Sequence, residues 1–151
     1  MGQIVMTQEV IGKTVHVDRE SSALFSSFSD LRNICAAIPE DKRKDIQVEA
    51  DSLVAKVQGI EMGLQLSRKE PFSLIEFQQY GQALFPFLFS LHFDPVSSGT
   101  DFHVELKAEL NGMMKMLIGS KLQDIVDKVT QAVSDAAQGR VPDDMKDYMN
   151  R

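Results

Sequence analysis

Between residues 46 and 110 the apolar side chains recur at every second position, and on both sides of that block they recur at intervals of three and four. A period of two marks strands with one buried face, and a period near 3.6 marks amphipathic helices. The N-terminal stretch 4–17 is β-branched and loosely alternating (Ile4, Met6, then Ile11, Val15, Val17), and its parity switches before Gly12, which predicts a bulge or bend there. Leu24, Phe25, Phe28 and Leu31 then fall at helical spacing, and Leu31, Ile34, Cys35 and Ile38 predict a second short helix ended by Pro39. Ile46–Ala50, Leu53–Val57 and Ile60–Leu66 read as strands, the last two joined by a Gln58-Gly59 turn. Pairing Val57 with Ile60 places Ala55 opposite Met62 and Leu53 opposite Leu64, with all six apolar side chains on one face. Lys69–Phe72 is a turn, Ser73–Gln79 a short strand, and Tyr80–Ala83 a loop.

The clearest hairpin is Phe85–Asp94 with Thr100–Leu110, turning at Val96–Gly99. Phe93 then faces Phe102, Leu91 faces Val104, Phe89 faces Leu106 and Phe87 faces Ala108. Ser90, His92, His103, Glu105, Lys107 and Glu109 take the other face, so the sheet is covered on one side only. Asn111 is a good N-cap, and a long helix is predicted from there to about Gln138. At 100° per residue its Met114, Ile118, Leu122, Ile125, Val126, Val129, Ala132, Val133 and Ala136 share a sector of roughly 120°. Met113, Met116 and Leu117 point roughly 120–160° away from the centre of that stripe. Three explanations compete: preceding loops bury this end, or it forms a flexible rim at a cavity mouth, or it is an exposed patch for a partner subunit or membrane surface.

The 151 residues suit one domain, taken as 1–138 with a polar tail at 139–151. With 43% apolar and 25% charged residues the composition is that of a globular protein, and a net charge of −6 argues against a nucleic-acid partner. Lys42-Arg43-Lys44 sits between Asp41 and Asp45 and reads as a solvated loop. Cys35, the only cysteine, falls among apolar helical positions and reads as a buried thiol. No apolar run approaches 18 residues, no signal peptide is evident, and position 6 is Met where a myristoylation signal wants Ser or Thr. A cytoplasmic protein is the simplest expectation.

Candidate chemistry is sparse. His92 and His103 come out opposed across the hairpin, but they lie on the polar face and a tight metal site wants three or four ligands. A solvated cross-strand pair is the preferred reading, and no metal site is assigned. No Ser/His/Asp or Cys/His grouping and no phosphate loop can be read. Arg68 continues the inward parity of Ile60, Met62, Leu64 and Leu66, where it could hold an anionic head group or carboxylate. The aromatic face Phe85, Phe87, Phe89, Phe93 and Phe102 suits a ligand cavity as well as a plain core.

The order strand, two short helices, six strands, long helix resembles the START and pollen-allergen-like superfamily, also called SRPBCC. The residues that carry the resemblance are "VDRESSALFSSFSD" (17–30), "RKEPFSLIEF" (68–77) and "LKAELNGMMKML" (106–117). The latter two look like an uncharacterised bacterial branch, with Asn111-Gly112-Met113 standing where that branch has Asn-Pro-Met. The resemblance implies an α+β helix grip: a curved antiparallel sheet of about seven strands around a long C-terminal helix, with a cavity between. It implies binding or transport of a small hydrophobic molecule such as a lipid, isoprenoid or polyketide. Leu64, Leu66, Arg68, Phe77, Phe87, Phe89, Leu91, Val104, Leu106, Met114 and Ile118 would line the site, without a cofactor. A cyclase or dehydratase-type enzyme is the alternative, and a non-catalytic carrier or sensor is preferred to it, since the superfamily has no universal catalytic residues to carry over. A protein-interaction module or homodimer using Met113, Met116 and Leu117 is a third reading.

Overall fold

In the computed structural model, residues 5–57, 59–81 and 83–139 are described. Met1–Ile4, the Gln58 turn position and the tail from residue 140 onward lie outside them. The elements run β1 (Val5–Ile11), β2 (Val15–Val17), α1 (Ser21–Phe28), α2 (Leu31–Cys35), α3 (Glu40–Arg43), β3 (Ile46–Val48), β4 (Ser52–Val57), β5 (Ile60–Glu70), β6 (Leu74–Gln79), β7 (Phe87–Val96), β8 (Gly99–Asn111), α4 (Gly112–Ile118) and α5 (Leu122–Ala137). The strands form one antiparallel sheet in the order β1-β8-β7-β6-β5-β4-β3, with β2 also on β8. The long C-terminal helix packs on the concave side, against β8, β1, β2 and α2. This is the helix grip expected from the element order. No helix among the described residues is long and apolar enough to cross a membrane.

The registers of the two hairpins follow the hydropathy pattern. Leu53 pairs with Leu64 and Ala55 with Met62, and β7 pairs with β8 without a break from Phe87↔Ala108 to Val96↔Gly99. The chain bends after Ile11, and both halves of the first strand pair with β8. Gly12 is needed at the bend because a Cβ there would meet Thr130 Oγ1 at 2.7 Å and Val126 Cγ1 at 3.0 Å. The buried Ser21 hydroxyl reaches Thr100 Oγ1 at 2.9 Å, and Thr100 donates to the Arg19 carbonyl at 2.7 Å. These bonds tie the start of α1 to the start of β8. Asp30 caps α2 through the Arg32 amide. Cys35 is buried, and desolvation pushes its thiol up to about 11, so it stays protonated.

Four local expectations need correction. The basic cluster is not a simple loop: Glu40–Arg43 forms a helical turn started by Pro39, whose fixed φ suits a helix entrance. The final helix is not continuous: a 3-10 turn at Gly119–Lys121 separates α4 from α5, where Ile118 leaves helical geometry (φ −128°, ψ −9°) next to a poor helix former. Ile118 and Leu122 nevertheless both stay buried, so the break preserves the apolar stripe that suggested an unbroken helix. The strand parity of β5 shifts between Leu66 and Arg68, with Ser67 as the extra residue. Leu66 therefore pairs with inward Phe77, while Arg68 pairs with outward Glu76 and does not line the interior. Lastly, loops do not bury the start of the C-terminal helix: Met113, Met116 and Leu117 are 70%, 86% and 60% exposed.

Leu122 is fully buried at the head of α5, where the stripe meets the sheet. Leu122→Ala is expected to cost roughly 2–5 kcal/mol by lost transfer energy and the cavity left behind. Urea unfolding of the variant beside the parent measures it, and a loss below about 1 kcal/mol would mean that α5 is not a main source of stability.

Candidate functional site

The same pleat builds two surfaces of different chemistry. On the concave face Phe77, Phe87, Phe89, Leu91, Val104 and Leu106 are buried, Ile118 is buried above them, and Leu64, Leu66 and Met114 are half-buried against the same cluster. Phe85, Phe87 and Phe89 follow one another at centroid distances of 5.7 and 5.8 Å. Cover over this face is uneven. Thr130 and Val126 of α5 face Gly12 at the β1–β2 bend. At 100° per residue, half-buried Val129, Ala132 and Ala136 form the flank of the stripe away from Thr130, in the same sector as fully buried Ile125. No extensive contact joins α5 to β4 or β5, whose Leu53, Leu64 and Leu66 remain half-buried. These three form an apolar wall left partly open. Among the described residues, the one ionisable side chain on the concave register of the sheet is Lys69, which pairs with inward Ile75 beyond the β5 bulge and is exposed.

The titratable groups converge on the convex face instead. His92 and His103 are register partners in β7 and β8, and Ser90 is the partner of Glu105. The two imidazoles stack nearly parallel, with centroids 4.7 Å apart and 4° between planes. One carboxylate oxygen joins them: His103 Nε2 donates to Glu105 Oε2 at 2.8 Å, and His92 Nε2 lies 2.9 Å from the same atom. Ser90 Oγ is 2.9 Å from His92 Nε2. Beside the cluster lies a groove of about 200 Å³ lined by Arg68, Leu74, Glu76, Leu88, Ser90, His92, Glu105 and Lys107. Arg68, displaced to this face, is ion-paired with Glu70. The third ligand-type group is present in the sequence as Glu105, two residues beyond His103 on the same face, a diagonal position that direct cross-strand opposition does not single out.

Burial lowers the His92 pKa below its ordinary 6.5, with the His103 and Lys107 charges acting in the same direction and the Glu105 and Glu76 carboxylates opposing them. For Glu105, burial opposes ionisation, but the His103 hydrogen bond and the surrounding cationic groups outweigh it and hold the carboxyl below its usual value. The third histidine differs. His16 Nδ1 is 2.8 Å from Asp101 and its Nε2 is 3.1 Å from Asp18, and these hydrogen bonds raise its pKa.

No family model and no curated protein sequence matches the chain. Solved structures do. Norcoclaurine synthase from Thalictrum flavum, in complex with dopamine and hydroxybenzaldehyde, superposes with a TM-score of 0.66 at 11% identity, over 88% of this chain and 85% of that one. An uncharacterised protein from Rhizobium leguminosarum gives 0.60 at 12% identity, over 91% and 98%. Ginseng major latex-like protein from Panax ginseng gives 0.59 at 14% identity, over 88% and 97%. At these identities the likeness shows the fold alone, a helix grip. It also corrects the preference for a non-catalytic role. The fold is shared with an enzyme, and this chain brings two imidazoles and a carboxylate together, so enzymatic activity cannot be ranked below simple carriage.

The opposite environments of the histidines have a direct readout. In an imidazole NMR titration, His16 is expected to hold its proton to a pH above 6.5 and His92 to stay neutral to a pH below it. Equal midpoints for the two rings would contradict the burial and bonding described.

Proposed function

We propose that the protein is an enzyme acting on a small apolar or aromatic molecule, which it seats in a trough between the β4–β5 arm and α5. The observation that carries this reading is the half-buried apolar wall of Leu53, Leu64 and Leu66, with Val129, Ala132 and Ala136 of the helix half-buried against the same core cluster. An apolar wall left partly open inside a curved sheet is the usual form of a small-molecule site. The interior aromatic rings Phe77, Phe87 and Phe89 lie behind it and favour a flat ring as occupant.

The chemistry supported by such walls is of a particular kind. With exposed Lys69, beyond the β5 bulge, as the one ionisable side chain on the concave register among the described residues, the protein contributes chiefly orientation and exclusion of water, and the reacting groups come with the substrates. A condensation or cyclisation fits that division of labour. Norcoclaurine synthase, with its bound dopamine and hydroxybenzaldehyde, illustrates that the fold admits two aromatic reactants. For this chain an aromatic aldehyde with an amine is therefore the first substrate pair to try. A lipid, isoprenoid or polyketide remains the broader ligand class.

Binding and turnover are tested separately. An environment-sensitive naphthalene probe is expected to bind the parent and to bind Leu64→Lys at least about tenfold more weakly, since a buried ammonium must be desolvated there. Met116→Lys, on the exposed turn of α4, is expected to leave binding unchanged. The reverse pattern would move the site to α4. Product formation from aldehyde–amine pairs, followed by mass spectrometry, decides the enzyme reading: if none is consumed faster than in buffer, that reading fails even if the probe binds.

A further inference from the structure

We propose that His92, His103 and Glu105 form a binding site for one divalent transition-metal ion on the convex face of the sheet, with zinc as the reference occupant. The inference is independent of the proposed trough, which involves the opposite face of the sheet and other strands.

Three observations carry it. First, the donor atoms already converge: each residue offers one ligand atom, and these lie within 4.8 Å of one another. Ligands on a tetrahedral zinc sit roughly 2.0–2.2 Å from it, hence about 3.4 Å from each other. Closure needs at most about 1.4 Å between the most distant donor atoms. Secondly, the donor set is selective. Two imidazoles and a carboxylate suit zinc, nickel or ferrous iron, whereas calcium and magnesium want oxygen ligands throughout. Thirdly, the donors stand on backbone that is held. The register pairs His92↔His103 and Ser90↔Glu105 lie in the interior of the sheet, between β6 and β1.

One movement is required. Ring-nitrogen lone pairs lie in the imidazole planes, and the planes are now nearly parallel, 4.7 Å apart. Loading must swing the rings about χ2, a broad torsion with little cost, until both Nε2 atoms face the position beside Glu105 Oε2. With three protein ligands the ion would keep an open position. The groove adjoins His92 and Glu105 and is rimmed by Arg68 and Lys107, so the open position is placed for water or a small anion. His16 supplies the contrast: its two carboxylate partners bind opposite nitrogens of the ring, so the three groups cannot meet on one ion.

Metal-stripped protein titrated with zinc chloride in a calorimeter is expected to bind one equivalent saturably. His103→Ala and Glu105→Gln are each expected to weaken binding at least about tenfold, and His16→Ala to leave it unchanged. Circular dichroism checks that each variant is folded. If a variant fails to fold, the parent still decides the matter: on zinc addition the side-chain NMR signals of His92 and His103 should shift and those of His16 should not. Absence of saturable zinc, nickel or cobalt binding would overturn the site, as would binding that depends on His16 or survives loss of both His92 and His103. None of these results depends on whether the trough binds a substrate.

Discussion

The unbroken pairing of β7 with β8 is the constraint on which the rest of the molecule depends. Its inward residues, from Phe87 to Phe93 and from Phe102 to Ala108, are at most 5% exposed. Its outward residues are Ser90, His92, His103 and Glu105. A slip of one residue would put the phenylalanines in water and the imidazoles and carboxylate in the core, so no neighbouring register competes. The other elements attach to this pair. β1 and β2 extend one edge, β6 the other, and α5 lies across β8. The aromatic interior and the His–His–Glu cluster are thus two consequences of one pleat.

That pleat is also why much of the molecule could be read from its sequence. Alternation over ten residues or more leaves little freedom, and the β4–β5 and β7–β8 registers come directly from it. The bend at Gly12 announces itself as a parity switch beside a glycine. The failures have an equally local cause. Around Ser67 no glycine or proline marks the bulge, so Arg68 keeps an inward parity on paper and turns outward in space. At Gly119 the apolar stripe remains in phase across the break, because Ile118 and Leu122 are buried on either side of it. Periodicity is blind to an interruption that preserves phase. The turn at Glu70–Ser73 carries another hidden feature: Phe72 takes φ 81°, a conformation that type II turns normally give to glycine, while its ring meets Phe25 edge-on at 5.7 Å. Strain of about 1–3 kcal/mol there is compatible with folding only because other contacts determine the turn.

The convex cluster was half legible. Opposition of His92 and His103 follows from the hairpin register alone. Glu105 is a diagonal neighbour, and whether a diagonal side chain reaches across depends on rotamers that hydropathy does not encode. The apolar wall of β4 and β5 was legible but its half-burial was not, because the identity of Leu64 or Leu66 is the same whether α5 covers it or stands aside.

The cluster is hard to explain as a device for stability. Cross-strand pairs on the wet face of a sheet contribute most when they are aromatic, β-branched or oppositely charged and solvated. Here two imidazoles and one carboxylate are partly withdrawn from water, with side-chain exposures of 35%, 30% and 21%. Burial works against the charged form of His92 and of Glu105 alike, and half-exposed ion pairs return little free energy. A Thr or Val pair at the same positions would hold the strands together without that desolvation. For His92 the arrangement therefore returns little stability, and it stands in the interior of the sheet, where pairing on both sides fixes the relative positions of the donor atoms. Groups held so closely, with so little return to the fold from His92, are the pattern of a site rather than of a scaffold.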